Sequence, residues 1–294
     1  MASPQQASKW TCHKLECTAD FIEMVSAGAR DPACCVELFA APRGHACREA
    51  ACEHAESSEP ASYRLRNKFA RCIYIARNEP EAEKLAEIVA SSDTEHPARV
   101  IAGNPLHESV IRQLFDAIPR STTSLVIIDP PGYSALRWSV IKKLAQHGVD
   151  WKGHKMDLLI LFPLEMALVR NLTRKECENS INRLYGGPAW QAVRKERMES
   201  KPDLGRIRRD LISIFKENLK GLGYKHVEDA EPARFSNPPY YHVIWASDRT
   251  SRAHELKEAW GRERFLPCEM FHEDRFTAAG GPGPPHVPPQ ADRT

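Results

Sequence analysis

The sequence lacks an excess of either charge, and it lacks long hydrophobic runs. Its 41 Lys and Arg side chains stand against 39 Asp and Glu, a formal net charge of +2. This balance excludes a strongly basic nucleic-acid wrapper and an acidic disordered chain. No purely apolar run is longer than residues 158–162, whereas a membrane helix needs roughly 20 such residues. The N-terminus has neither the basic start nor the apolar segment of a secretory signal. We therefore expect a cytoplasmic protein without membrane association.

Cysteine, by contrast, is abundant, with nine in the chain. Seven lie within the first 72 residues: Cys12, Cys17, Cys34, Cys35, Cys47, Cys52 and Cys72. Without a secretory signal, a disulfide framework is not expected. Two pairs, each spaced by five residues, have histidines nearby, but this spacing is wide for zinc and we predict no metal site. Cys34, Cys35 and Cys72 lie in apolar runs, where we expect reduced, buried thiols. A zinc module on the N-terminal cysteines and histidines is the weaker alternative.

The two ends of the chain differ in composition from its middle. Residues 1–10 have the character of a loose leader. From residue 277 onward, proline and glycine dominate and no apolar periodicity survives. Residues 277–294 cannot offset the entropy of ordering by burial, so we expect a disordered tail. The sequence therefore predicts one α/β domain over residues 11–276.

Between these ends, short apolar runs alternate with patterns of helical period. Seven runs are candidate strands: residues 34–39, 72–76, 99–102, 125–128, 157–162, 224–227 and 240–246. Asn78 is a candidate N-cap, with Pro80 and Glu81 in the first turn of a helix. Further helices are predicted around residues 138–145 and 204–219. This alternation predicts a doubly wound, mostly parallel sheet, in which the fourth and fifth candidate strands are adjacent at the middle.

In such sheets ligands bind at the carboxyl ends of the strands, which makes the residues there candidates for cofactor binding. The first candidate strand holds Glu37, a carboxylate that must be paired if it is buried. The turn after it has a single glycine, Gly44. After the second strand the nearest carboxylate is Glu79, which also suits the first turn of a helix. After the third strand, Asn104 has the groups to hydrogen-bond an adenine edge or to stabilise a turn.

The fourth candidate strand ends in the most informative stretch, Asp129-Pro130-Pro131-Gly132-Tyr133. Two prolines hold the chain extended, so that Asp129 projects into the cleft and can accept hydrogen bonds from an amino group. Tyr133 is placed to stack on a planar ligand. An acid followed by two prolines and an aromatic residue is typical of methyltransferases that act on exocyclic or amide nitrogens, although Gly132 intervenes here. The alternative is a rigid loop whose Asp129 caps the next helix.

Basic residues are concentrated between residues 194 and 209, where they are interleaved with acidic ones. A phosphate-binding surface would carry fewer acids, so we interpret this run as the solvated face of a helix. Nucleic acid stays open as a substrate, but the charge distribution does not indicate it.

Taken together, these motifs resemble the three-Cys-motif partner proteins of bacteria. The residues that carry the resemblance follow the family's order: Lys14-Leu15, Glu37-Leu38-Phe39-Ala40, Asp129-Pro130-Pro131-Gly132, Trp138, 157–163, Arg170, Gly186, Trp190, Gly223-Tyr224 and Tyr240-Tyr241. The resemblance covers about residues 10–262 and is most specific over 125–172. The family is named for a partner protein with three cysteines, not for cysteines of its own.

The resemblance implies a Rossmann-like fold of the S-adenosylmethionine-dependent methyltransferase type, S-adenosylmethionine as cofactor, and a three-Cys-motif protein as partner. The substrate would be a nitrogen of a nucleic acid or a protein. The implied catalytic residues are Asp129, Pro130, Pro131 and Tyr133. The implied cofactor-binding residues are Glu37, Phe39, Ala40, Gly44, Glu79 and Asn104. The departures from the family turn, Ala41 and the inserted Pro42-Arg43, favour a second interpretation. In it, a catalytically degenerate methyltransferase fold binds another protein.

Overall fold

Seven strands form one sheet at the centre of the structure. The computed structural model describes residues 9–26, 33–42, 62, 65–90, 98–118, 122–147, 155–200, 203–231 and 241–261. The strands are β1 (Ala33–Leu38), β2 (Arg71–Ala76), β3 (Ala98–Ala102), β4 (Thr123–Ile128), β5 (Asp157–Phe162), β6 (His226–Ala230) and β7 (His242–Ser247). Five of them match the predicted runs closely. The sixth begins two residues later than predicted, and Tyr224, before it, donates its hydroxyl proton to the Met156 carbonyl at 2.9 Å. Of the predicted seventh run, Tyr240 lies outside the described residues.

The strand order is β3-β2-β1-β4-β5-β7-β6. Strands β1 to β5 run parallel, and β7 is inserted antiparallel between β5 and β6. The predicted adjacency of the fourth and fifth runs is confirmed, since Leu125 of β4 pairs with Asp157 of β5. A mostly parallel sheet in this order, with its one antiparallel insertion, is the Rossmann-like methyltransferase fold. The predicted fold class is therefore confirmed.

Eight α-helices flank this sheet within the part of the chain that the structure describes. They are α1 (Lys9–Ser26), α2 (Glu79–Ala90), α3 (Glu108–Ala117), α4 (Trp138–His147), α5 (Glu178–Tyr185), α6 (Gln191–Ser200), α7 (Leu204–Gly221) and α8 (Ala253–Gly261). Short 3₁₀ turns occupy Arg66–Lys68, Tyr133–Ala135 and Lys175–Cys177, and a π-helical segment occupies Leu164–Val169. The sheet alternates its side chains between two hydrophobic layers, one shared with α3, α4, α5 and α7 and the other with α1, α2 and α8.

The three predicted helices are confirmed, and Asn78 caps α2 by accepting the Glu81 backbone N–H at 3.0 Å. Helix α1 was not predicted, and its first two residues fall within the predicted loose leader, so the leader is at least two residues shorter. The helix forms because Phe21, Ile22 and Leu15 are buried on one side of it. Burial of an apolar stripe stabilises a helix more than local propensity does.

The predicted burial of the three strand cysteines is confirmed, and their thiols are free. Burial raises the pKa of Cys34 to about 12 and that of Cys72 to about 11, and it raises the pKa of Cys35 well above its ordinary value. These thiols are therefore protonated and unreactive at neutral pH. Cys47 and Cys52 lie outside the described residues, so the prediction of no metal stays open.

One compact unit spans Met1–Arg262, and every described residue belongs to it. The predicted domain end at 276 and the tail 277–294 lie outside the described residues and stay predictions. None of the helices that the structure describes combines the length and the apolar character needed to span a membrane.

Candidate functional site

The carboxyl ends of β1 to β5 meet at one edge of the sheet, because all five strands run parallel. The chain reverses its direction of winding between β1 and β4, which are neighbours in the middle of the sheet. Such a switch point opens a crevice in which doubly wound sheets bind ligands. Leu38 pairs with Ile128, so the residues that follow these strands, Phe39 and Asp129, lie side by side at the crevice.

The turn after β1 has an uncommon backbone conformation. Phe39 has φ 64°, in the left-handed region that usually requires glycine, and its side chain is only 7% exposed. A non-glycine residue in this region is strained, and such strain is concentrated at ligand sites. Ala40, fully buried, follows it with the smallest chiral side chain. The chain therefore turns sharply at the crevice without the glycines expected there.

Glu37 is paired, as the sequence required. Its side chain is 3% exposed, and Oε2 accepts a hydrogen bond from the Ser62 hydroxyl at 2.6 Å. Glu37 lies opposite Tyr74 of β2 and Ile127 of β4, one residue inside the strand end. The buried Glu37 carboxylate therefore links β1 to Ser62, just before the turn at Phe39.

Asp129 forms an ion pair with Lys14, which lies 115 residues earlier in the chain. Lys14 Nζ lies 2.8 Å from Oδ1 and 2.7 Å from Oδ2 of Asp129, so that the ammonium bridges both carboxylate oxygens. The Asp129 side chain is 11% exposed and that of Lys14 is 21% exposed. Charge-assisted hydrogen bonds of this length are about twice as strong as neutral ones. Helix α1 therefore fixes the carboxylate at the crevice.

Tyr241, just before β7, completes the surroundings of this pair. Its buried hydroxyl accepts a hydrogen bond from Trp260 Nε1 at 3.2 Å. Burial, with smaller contributions from the nearby Cys17 and Asp129, raises the pKa of Tyr241 well above its ordinary value. A neutral phenol therefore lies close to Asp129.

The loop after Asp129 differs in part from its predicted form. Pro130 is buried and Pro131 is exposed at the mouth of the crevice. The 3₁₀ turn that follows has Gly132 at its N-cap and no side-chain cap, and Asp129 pairs with Lys14. Tyr133 is only 8% exposed and packs in the hydrophobic layer of α3, α4, α5 and α7. Burial and a hydrogen bond with Cys177 raise the pKa of Tyr133 to about 12. Its ring is a core side chain in this structure, which gives no support to ligand stacking.

The remaining predicted cofactor residues lie at the ends of β2 and β3. Glu79 is exposed at the N-terminus of α2, where its charge also suits the helix dipole. Asn104 Oδ1 accepts the Leu106 backbone N–H at 3.0 Å, so its carbonyl stabilises a turn and only its amide NH₂ is left to face a ligand. Gly103 keeps the two strand ends together by donating its N–H to the Ala76 carbonyl at 2.8 Å. Gly44 lies outside the described residues.

Three residues of this site were missed as functional groups by sequence reasoning. Lys14 entered only through the family resemblance, and Ser62 and Tyr241 were not assigned a role. Lys14 carries a weak signal, since it is a cation directly before Leu15, a buried residue of α1. Ser62 carries none, because no local pattern links it to Glu37, 25 residues away.

Solved structures similar to this chain include proteins from three organisms. An S-adenosylmethionine-dependent methyltransferase of the DUF858 family from Leishmania major has a TM-score of 0.44 and 9% identity, covering 81% of this chain and 73% of that chain. A DUF574 family protein from Streptomyces avermitilis has a TM-score of 0.39 and 10% identity, covering 80% and 82%. The cyclopropane synthase MmaA2 from Mycobacterium tuberculosis has a TM-score of 0.32 and 10% identity, with the same coverage of 80% and 82%. These TM-scores are low, so the fold assignment rests on the strand order of this chain.

No family model matches the chain, and a search of curated proteins finds no significant relative. The resemblance to the three-Cys-motif partner proteins therefore stays a prediction.

Proposed function

We propose that this chain is a methyltransferase that binds S-adenosylmethionine across the carboxyl ends of β1, β2 and β3. Its acceptor is a nitrogen that lies beside Asp129. The observation that carries the proposal is the switch point, where the strained Phe39 turn and the paired Asp129 lie on neighbouring strands. Ligand-binding crevices of doubly wound sheets form at such a point.

The residues at this edge suit the cofactor's chemistry. S-adenosylmethionine has a planar adenine, a ribose and a zwitterionic amino acid. The amide of Asn104 suits an adenine edge, and the exposed carboxylate of Glu79 suits hydroxyl groups. The polar groups are therefore those that an adenosyl ligand needs.

Methyl transfer depends on the orientation of the two reactants and needs no covalent intermediate with the protein. S-adenosylmethionine supplies a methyl group on a positively charged sulfur. Asp129 accepts hydrogen bonds from two N–H groups, the ammonium of S-adenosylmethionine and the acceptor nitrogen, and orients the lone pair of the acceptor. Lys14 holds this carboxylate in one orientation. Orientation of two bound reactants supplies a large part of the rate enhancement of bimolecular steps.

The test replaces Asp129 by asparagine, which keeps the size of the side chain and removes its charge. We expect the affinity for S-adenosylmethionine to fall about ten- to a hundredfold, because a hydrogen bond to a charged group contributes about 1.5–3 kcal/mol. Calorimetric titration measures this, with the melting temperature as a check of folding. Glu196→Gln is the matched control, since it removes a surface carboxylate that pairs with Arg206 on the neighbouring helix. Equal affinity in a folded Asp129→Asn variant would contradict the proposal.

The degenerate alternative has its own support. Asp129 is already bound by Lys14 through both oxygens, and Ala41-Pro42 replaces a glycine-rich turn. A protein of this class would bind another protein and would not bind S-adenosylmethionine at all. Membership of the three-Cys-motif partner family, with its partner protein, is a further part of our proposal and rests on the motifs quoted above.

A further inference from the structure

A polar groove lies along α7, on the opposite side of the sheet from Lys14. It encloses about 460 Å³ and is lined by Leu164, Gly205, Arg208, Arg209, Ile212, Ser213, Lys216, Glu217, Lys220, Asp229, Glu231 and His242. This volume falls in the range of about 300–1,000 Å³ that small-molecule sites occupy. We call it the α7 groove.

One face of α7 is apolar and packs in the core, and another face is mostly polar and lines the groove. Ile207, Leu211 and Phe215 form the apolar stripe that packs in the core. The lining residues of α7 follow two adjacent rows at four-residue spacing on another face, Arg208 to Lys220 and Gly205 to Glu217. The basic residues interpreted from sequence as a solvated face thus include two, Arg208 and Arg209, that line a cavity.

The groove opens at the same edge of the sheet as the candidate site. Phe162, at the end of β5, pairs with His242 at the start of β7, while Ile128, just before Asp129, pairs with Ile160 of β5. Two spacings of about 4.8 Å place β7 about 10 Å from β4. A ligand in the groove therefore needs only a short extension along the edge to reach the crevice.

The charges in the groove favour an anion. Asp229 binds Lys216, and it accepts a hydrogen bond from His242 at 2.7 Å. Glu217 pairs with Lys220 at 2.7 Å. These two acids are therefore neutralised within the groove, and the third acid, Glu231, and Arg208 each have an interaction partner of their own. The guanidinium of Arg209 makes no ion pair with any residue that the structure describes. The lining as a whole is positively charged, with Arg208, Arg209, Lys216 and Lys220 against Glu217, Asp229 and Glu231. A guanidinium binds carboxylate or phosphate through two parallel hydrogen bonds.

We infer that the α7 groove is an anion site that holds the carboxylate or phosphate group of a small polar methyl acceptor. The anion site stands on the groove alone, and only its assignment to a methyl acceptor rests on the proposed function. The acceptor nitrogen then lies about 10 Å from the anionic group, which favours an elongated small molecule over a compact one.

The experiment titrates the protein with inorganic phosphate and, separately, with acetate, and follows binding by calorimetry at low ionic strength. We expect saturable binding of at least one probe, and the stronger of the two identifies the anionic group. Arg209→Gln should weaken this binding by about tenfold or more. Ser213→Glu, at an exposed position of the groove, should abolish it by adding a negative charge.

Arg206→Gln is the matched control, since Arg206 lies on α7, is 59% exposed and pairs with Glu196 and Asp210 outside the groove. It should bind the probe as the original chain does. Absence of saturable binding, or equal binding by all four proteins, would overturn the inference. Titration of the same proteins with S-adenosylmethionine separates the two proposals. If the original chain binds the anion but not S-adenosylmethionine, only the proposed function is contradicted. If the original chain binds S-adenosylmethionine but neither anion, only the groove is contradicted.

Discussion

The pair of Lys14 and Asp129 shows how a single contact defines the candidate site. The sequence predicts that two prolines hold Asp129 in place. In the structure, an ammonium from a helix 115 residues away bridges both of its oxygens. The site therefore depends on the docking of α1 against the sheet, and a change that frees α1 should act on Asp129 as well.

Asp229 is the residue from which a pH dependence of stability follows. Burial opposes its ionisation, but hydrogen bonds from His242 and Lys216 outweigh burial and lower its pKa from 3.8 to about 2. Because the pKa of Asp229 is lower in the folded protein than in the unfolded chain, ionised Asp229 stabilises the fold at pH values above about 4. This stabilisation is lost as the pH falls from about 4 to about 2. We therefore expect Asp229→Asn to reduce the free energy of unfolding by about 2 kcal/mol at neutral pH.

Urea unfolding at several pH values measures the difference between Asp229→Asn and the original chain. It should shrink toward zero between about pH 4 and pH 2. Asp210→Asn is the control, because Asp210 is 39% exposed and its pair with Arg206 is long, at 3.7 Å. Its effect should stay below about 1 kcal/mol at every pH. A destabilisation by Asp229→Asn that does not change with pH would contradict this account.

Among the elements, the contact between α4 and α5 explains why position 186 is a glycine. Gly186 ends α5 in the left-handed conformation, with φ 73°. A Cβ atom there would lie 2.2 Å from Cδ1 of Trp138, the first residue of α4. Trp138 in turn packs edge-on against Phe215 of α7 at 5.6 Å. Position 186 therefore requires glycine for two reasons, its positive φ angle and the Trp138 ring that would clash with a Cβ atom.

Gly186→Ala should accordingly lower the free energy of unfolding by about 2–4 kcal/mol, the sum of overpacking and left-handed strain. The neighbouring Gly187→Ala is a matched control, since its Cβ would meet nothing within 4 Å. Chemical denaturation of both variants measures the difference. Equal stability of the two would show that α5 can move away from Trp138 without cost.

At the scale of the whole molecule, the sequence was sufficient for the sheet but not for the site. Strands such as β4 and β5 are continuous apolar runs buried on both faces, so their positions follow from local composition. Helix α1 was missed because its stripe is broken by polar residues and becomes clear only against the sheet. The direction of Tyr133 depends on how the loop packs near α5, and the partner of Glu37 depends on a distant serine. Such contacts are tertiary and leave no periodic signal.

The central claim is that the crevice between β1 and β4 binds S-adenosylmethionine. Calorimetric titration of the full chain with S-adenosylmethionine and with its demethylated product, S-adenosylhomocysteine, tests it most directly. The account predicts saturable binding of both at one site per chain, with competition between them, since both present the same adenosine and amino acid. A folded protein that binds neither would contradict the claim and favour the degenerate, protein-binding alternative.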